Sequence, residues 1–226
     1  KTLFPYTTLF RSFLGCNAAL PRIGGSVLAH DHYQGGGELL PMHKAATWAA
    51  FTLADYPDAV VEILDWPGTA VRVVSKNRQS IIDVSDIIRE AWVGYDDAAN
   101  GIASHDADGN RQSALSPSAI ITERGYEMSL IFRNNAISDE YPEGIFHAHP
   151  EYWPVKQEPI GLIEAQGLDK VEAALAAAPP EQAGQPLMML RMARATPASA
   201  RKEAAIPALQ LAPVMLDAAA DRPAVT

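Results

Sequence analysis

The sequence is short of cysteine, of cations and of long apolar runs, and each shortage removes a class of protein. A single cysteine, Cys16, leaves no intramolecular disulfide to form, so burial has to hold the fold. That usage fits a reducing compartment, and a cytoplasmic setting is expected. Lys and Arg number 18 against 27 Asp and Glu, a formal net charge of −9. Such a balance argues against a nucleic-acid surface, which needs dense cations. It leaves room for a local anion site, because a few backbone N–H groups and one cation suffice for a phosphate. No apolar run is long enough to cross a bilayer, so no membrane partner is expected. The first dozen residues, KTLFPYTTLFRS, lack the apolar core and small-residue cleavage site of a signal peptide.

What is present divides into three parts. Residues 2–12 read as the conceptual translation of a short-read sequencing adapter, so 1–12 is expected to be an artefact. Residues 168–226 are dominated by Ala and Pro, with few aromatics and no clear strand pattern. That part is expected to be a tail, either a linker or a frameshifted or misjoined end, helical or disordered. Between them, 13–167 has the look of one mixed domain. The 48% hydrophobic content is enough for a core.

Within that domain, residues 26–29 are expected to form a short strand between glycines. Residues 59–65 and 69–75 are expected to form two strands around the turn Trp66-Pro67-Gly68. The clearest helix is 80–93, where Ile81, Val84, Ile88 and Trp92 keep helical spacing. Ser80 is its expected N-cap, with Asp83 three residues on, and Gly94 its stop. Residues 118–122 and 126–133 suggest a hairpin turning at Glu123-Arg124-Gly125. Residues 145–149 and 160–165 are the last expected strands. The sum is an α+β fold, an antiparallel sheet with flanking helices.

The most informative segment is PRIGGSVLAHDHYQGGG, residues 21–37. His30, His32 and Gln34 alternate, so on an extended backbone they share one face. Glycines on both sides allow close approach of backbone to a ligand. Two imidazoles and an amide suit chemistry at phosphorus: one histidine attacks, the amide bonds a phosphoryl oxygen, and the other histidine orients its neighbour or holds a metal. Alternating histidines also serve as hydrogen-bonding core residues or as ligands of a structural zinc.

The run GGSVLAHDHYQGG resembles the active-site stretch of galactose-1-phosphate uridylyltransferases, in the branch found mainly in Gram-positive bacteria. That family is related to the histidine-triad nucleotide hydrolases and transferases. A second block, SLIFRNNAISDEYPEGIFHAHPEYWPVKQEPIGLIEAQGL, resembles the family's downstream segment in the expected order. The resemblance implies a histidine-triad-like transferase domain and ping-pong transfer of UMP between UDP-glucose and a hexose 1-phosphate. It makes His32 the nucleophile, Gln34 the amide on the transferred phosphoryl group and His30 the first histidine of the pattern. No cofactor is required for that chemistry, and the full-length enzyme is compatible with a homodimer. The chain would lack part of the nucleotide pocket and its activity is in question.

His147 and His149 repeat the alternation. The resemblance implies a metal role for them, with a structural zinc or iron in view, and polar lining of the sugar-phosphate cleft is the other reading. Structural zinc typically takes four ligands; Glu38, His43, His105 and Glu151 are the nearby chemical types. Lys156 and Glu164 fall where the family contacts hexose and phosphate, and they are equally readable as a solvated lysine and a strand-end glutamate. Arg133, Asn134 and Asn135 either orient substrate or serve an ordinary turn. Two rival readings are a nucleotide hydrolase or phosphorylase of the same superfamily, and a cupin-like metal-binding protein. In the second, Glu38 stands one or two positions too far from His32.

Overall fold

Runs of β-branched residues separated by tight turns build the sheet. The computed structural model describes residues 13–24, 28, 33–66, 68–147 and 161–167. Among them are seven strands: β1 (Phe13–Gly15), β2 (Gln34–Gly36), β3 (Thr47–Leu53), β4 (Tyr56–Leu64), β5 (Ala70–Ser75), β6 (Ser113–Thr122) and β7 (Gly125–Asn134). One long helix, α1 (Arg78–Val93), and one short one, α2 (Leu162–Gln166), accompany them, with a 3-10 turn at Pro41–Lys44. The strands form one antiparallel sheet in the order β2-β1-β6-β7-β5-β4-β3. The chain is therefore α+β, with few helices.

Alternation gives the sheet two unlike faces. One face presents Val61, Ile63, Val71, Val73, Leu130 and Phe132, and α1 covers it with Ile81, Val84, Ile87, Ile88 and Trp92. Trp92 sets its ring edge-on to Phe132 and donates its indole N–H to the carbonyls of Ala114 and Arg133. The helix is thus stitched to the β6–β7 pair as well as buried on it. The opposite face carries Glu62, Arg72, Ser116, Ser118, Glu127 and Ser129, all buried. The Pro41–Lys44 turn and α2 cover part of it through Met42 and Leu162, which pack with Leu64, Ala70 and Ile131.

Turn chemistry sets the register of the central hairpin. Thr122 pairs with Gly125 across the two-residue loop Glu123-Arg124, and Gly125 has φ of +117°. A Cβ there would stand 2.5 Å from the carbonyl oxygen of Ser75, so both backbone angle and space demand glycine.

Four expectations meet a different outcome. The helix begins at Arg78 with Asn77 as its N-cap, the Asn77 side chain accepting from the Gln79 N–H at 3.0 Å. Ser80 lies inside the helix, buried, and donates to Asp58 at 2.9 Å. Residues 145–147 form a turn rather than a strand, with Gly144 at φ +129°, while 148 and 149 lie outside the described residues. Within the strand expected over 160–165, residues 162–165 belong to the helix α2, because so short a run with Leu162, Ile163 and Ala165 obeys either period and tertiary contacts choose. Asn17 accepts the Leu162 N–H at 2.6 Å, and Trp66 donates to the Ala165 carbonyl at 2.9 Å. Finally, β1, β2 and β3 stand where the sequence had suggested no strand. The one expected at 26–29 falls outside the described residues, save Leu28, which is in neither helix nor strand.

The N-cap finding has a direct check. Asn77→Ala should lower stability by about 1 kcal/mol in urea unfolding, and Asn77→Ser should stay close to the parent.

Candidate active site

Of the segment 21–37, residues 21–24, 28 and 33–37 are described, and the sheet fixes where Gln34 points. Gln34 opens β2 and pairs with Gly15, which pairs with Ser118. The same cross-strand row continues through Ser129, Arg72, Glu62 and Ala50. Gln34 therefore stands at one end of a polar row that crosses every strand on the face opposite α1. Its Oε1 is buried and has no hydrogen-bond partner among the described residues. His30 and His32 lie outside the described residues, as do His149, Lys156 and Glu151.

Two other candidates share this face. Arg133 lies on β7 two and four residues beyond Ile131 and Ser129, with the same strand parity. Burial lowers its pKa, and the carboxylate of Glu164 acts in the opposite direction. A guanidinium so placed keeps its charge and stands beside an exposed carboxylate. Glu164 sits in the first turn of α2, its carboxylate folded back toward Gly161. In the same helix Gln166 is fully buried, and both atoms of its amide lack partners among the described residues. Gln166 was not singled out in the sequence, where a lone glutamine carries no signal.

Asn134 and Asn135 do structural work. Asn134 donates to the Ala103 carbonyl and Ser113 hydroxyl and accepts from the Ala136 N–H. Asn135 donates to the Pro21 carbonyl at 3.1 Å, and its own carbonyl accepts from Arg22. These bonds tie the residues before the glycine- and histidine-rich run to the end of β7.

Of the pair expected to hold a metal, His147 is described and His149 is not. No three His, Cys, Asp or Glu side chains converge among the described residues. His43 Nδ1 accepts from the Leu40 N–H at 3.1 Å, and its Nε2 lies 3.0 Å from the Ser118 hydroxyl. His105 bonds the Ser104 hydroxyl. Glu38 is exposed in the loop after β2, and His147 follows the turn at Gly144.

The row's other end is ionic. Arg72 donates Nε to Glu62 at 2.8 Å and its terminal nitrogens to the carbonyls of His43 and Ala45. Arg124 closes on the second oxygen of Glu62. Burial opposes ionisation of Glu62, but the bonds from Arg124 and Arg72 outweigh it and hold its pKa below the usual range. Burial, followed by the charges of Arg72 and Lys44, brings His43 down from 6.5 to about 4. His43 is thus a neutral imidazole at physiological pH.

Comparison with known proteins follows the same lines. A galactose-1-phosphate uridylyltransferase of Bifidobacterium longum subsp. longum is 99% identical over 156 residues, 69% of this chain and 30% of that protein. Enzymes of the same name from Enterococcus faecalis and Lactococcus lactis subsp. lactis are 38% and 40% identical, over 74% and 72% of this chain and 34% and 33% of theirs. The chain belongs to the galactose-1-phosphate uridylyltransferase family. It spans about a third of the length of these relatives. No family model matches the chain, and no solved structure matches it.

The neutral state of His43 in this family member has a measurable consequence. Between pH 4 and 6.5 the unfolded chain binds a proton at His43 that the folded chain refuses. Stability should therefore be fully present above pH 6.5 and fall toward pH 4, by at most about 3 kcal/mol. Urea titrations across that range should show the decline, and His43→Asn should lack the part due to this group.

Proposed function

We propose that this chain carries the nucleophile-bearing part of an enzyme that moves UMP between UDP-glucose and galactose 1-phosphate. The observation that carries the reading is that Gln34 and Arg133 face the same side of the sheet, where the charge of Glu164 on α2 acts on Arg133, in a chain whose relatives bear that enzyme's name. In this reading a neutral imidazole nitrogen of His32 attacks the α-phosphorus of UDP-glucose. An N–P bond forms, the P–O bond to the sugar phosphate breaks, and glucose 1-phosphate leaves as the anion. A phosphate oxygen of galactose 1-phosphate then attacks the same phosphorus, the N–P bond breaks, and UDP-galactose departs with the imidazole regenerated.

The roles of the remaining side chains follow from charge. Gln34 supplies an amide to the phosphoryl oxygens, His30 orients His32, and Arg133 offers a fixed cation to a phosphate while Glu164 limits its reach. Asn135 holds the approach to the histidine run in place. Lys156 is assigned to phosphate neutralisation by position in the downstream block. His147 and His149 are assigned to the sugar-phosphate cleft, and no step passes through a metal. We extend the reading to a histidine-triad-like domain over residues 13–167, with 1–12 and 168–226 outside it, in a cytoplasmic enzyme.

Incubation with UDP-glucose labelled at the α-phosphate tests the proposal. Acid-labile label should appear on the protein, vanish in His32→Asn and fall about 100-fold in Gln34→Ala. Galactose 1-phosphate should discharge it; discharge by water alone would make the chain a hydrolase. If the chain is silent, the same substitutions go into the full-length Bifidobacterium longum relative. Absence of label there as well would end the transferase reading.

A further inference from the structure

The strand that carries Gln34 is weakly held by its own ladder. β2 is three residues long, its described partner is β1 alone, and two of its residues are glycine. Three antiparallel pairs at a sheet edge, without side chains to pack, do not fix a strand to the tolerance that catalysis at phosphorus needs. Something else has to hold it.

We infer that His43 is the positioning residue for Gln34, clamping the loop that leaves β2 onto the two strands beside it. Six residues separate Gly36 from His43, and the loop returns over the face that Gln34 shares. The His43 ring closes the loop on itself through the Leu40 N–H and fastens it to β6 through Ser118. It also lies against Phe13 of β1, ring centroids 5.7 Å apart. Phe13 pairs with Gly36, and Ser118 is in the row of Gln34. One imidazole therefore touches the strand next to β2, the strand after that, and the loop from β2. Since Nδ1 accepts from an N–H, Nε2 carries the proton and donates to Ser118. A cation at this position has no lone pair for Leu40. The backbone carbonyl of His43, bonded to Arg72 at 2.8 Å, fixes the ring from behind.

The role of Gln34 rests on the proposed transfer reaction, whereas the clamp does not, and the experiment separates them. His43→Leu keeps the volume and removes both bonds; Ser118→Ala removes one; His43→Asn keeps an acceptor for Leu40. Hydrogen exchange on the full chain should show amides of Gln34–Gly36 exchanging at least about tenfold faster in His43→Leu. Ser118→Ala should fall between it and the parent, His43→Asn should recover part of the protection, and β4, β5 and β7 should be unaffected. Unchanged exchange at Gln34–Gly36, or uniform acceleration over the whole sheet, would overturn the clamp whatever the activity. In the background where label is taken up, His43→Leu should lower the rate of uptake about tenfold with KM for UDP-glucose unchanged. Faster exchange with an undiminished rate would overturn the catalytic half of the inference. Faster exchange in a protein that never takes label would instead count against the transfer reaction.

Discussion

One buried guanidinium organises the polar face. Arg72 is 4% exposed in the middle of the sheet, and its charge has to be met by protein. Glu62 meets it from β4, Glu127 stands 3.6 Å away on β7, and the carbonyls of His43 and Ala45 take the remaining bonds. One of those carbonyls is in the Pro41–Lys44 turn and the other belongs to the residue that caps it, so satisfying the charge also pins that turn to the sheet. With the turn in place, His43 reaches Ser118, Met42 enters the apolar cluster under α2, and the loop from β2 has a defined end.

The two faces share the work of stability and function. The face under α1 is apolar and packs like any sheet–helix core, with side chains of β4, β5 and β7 against one helix stripe. The other face keeps an unusual density of buried serines and charges, in register across neighbouring strands. Orphaned polar atoms gather here as well: Gln34 Oε1 and Ser129 Oγ lie in one row. Buried polar atoms without partners are costly, and they are retained where a ligand or a further segment completes them. Close approach on this face also explains Gly15, where a Cβ would fall 2.6 Å from the Leu162 side chain and 2.5 Å from the Pro117 carbonyl oxygen.

The chain spans about a third of its relatives' length, and its described elements still form one continuous sheet with a helix-covered core. What that sheet supplies to the proposed chemistry is an edge strand for Gln34, a cation at Arg133 and a docked α2 that brings Glu164 toward it. Sites carried on strands and short helices keep their geometry better than sites on loops.

The sequence by itself determined the elements whose signal is local. Helical spacing from Ile81 to Trp92 found α1, and Trp66-Pro67-Gly68 and Glu123-Arg124-Gly125 marked the turns, because periodicity and turn chemistry act within a few residues. The same local reading picked out the alternating His30, His32 and Gln34 and, through resemblance, the family. It misjudged the N-cap, where Asn77 and Ser80 are both capping types and contact with Asp58 separated them. It took α2 for a strand, since Leu162, Ile163 and Ala165 suit either. Only the tertiary structure decided that β2 lies beside β1, that the charge of Glu164 acts on Arg133, and that His43 is a buried, hydrogen-bonded neutral group. Each of these depends on partners between 19 and 75 residues apart, or on burial that shifts an ionisation, and neither leaves a pattern in the neighbouring sequence.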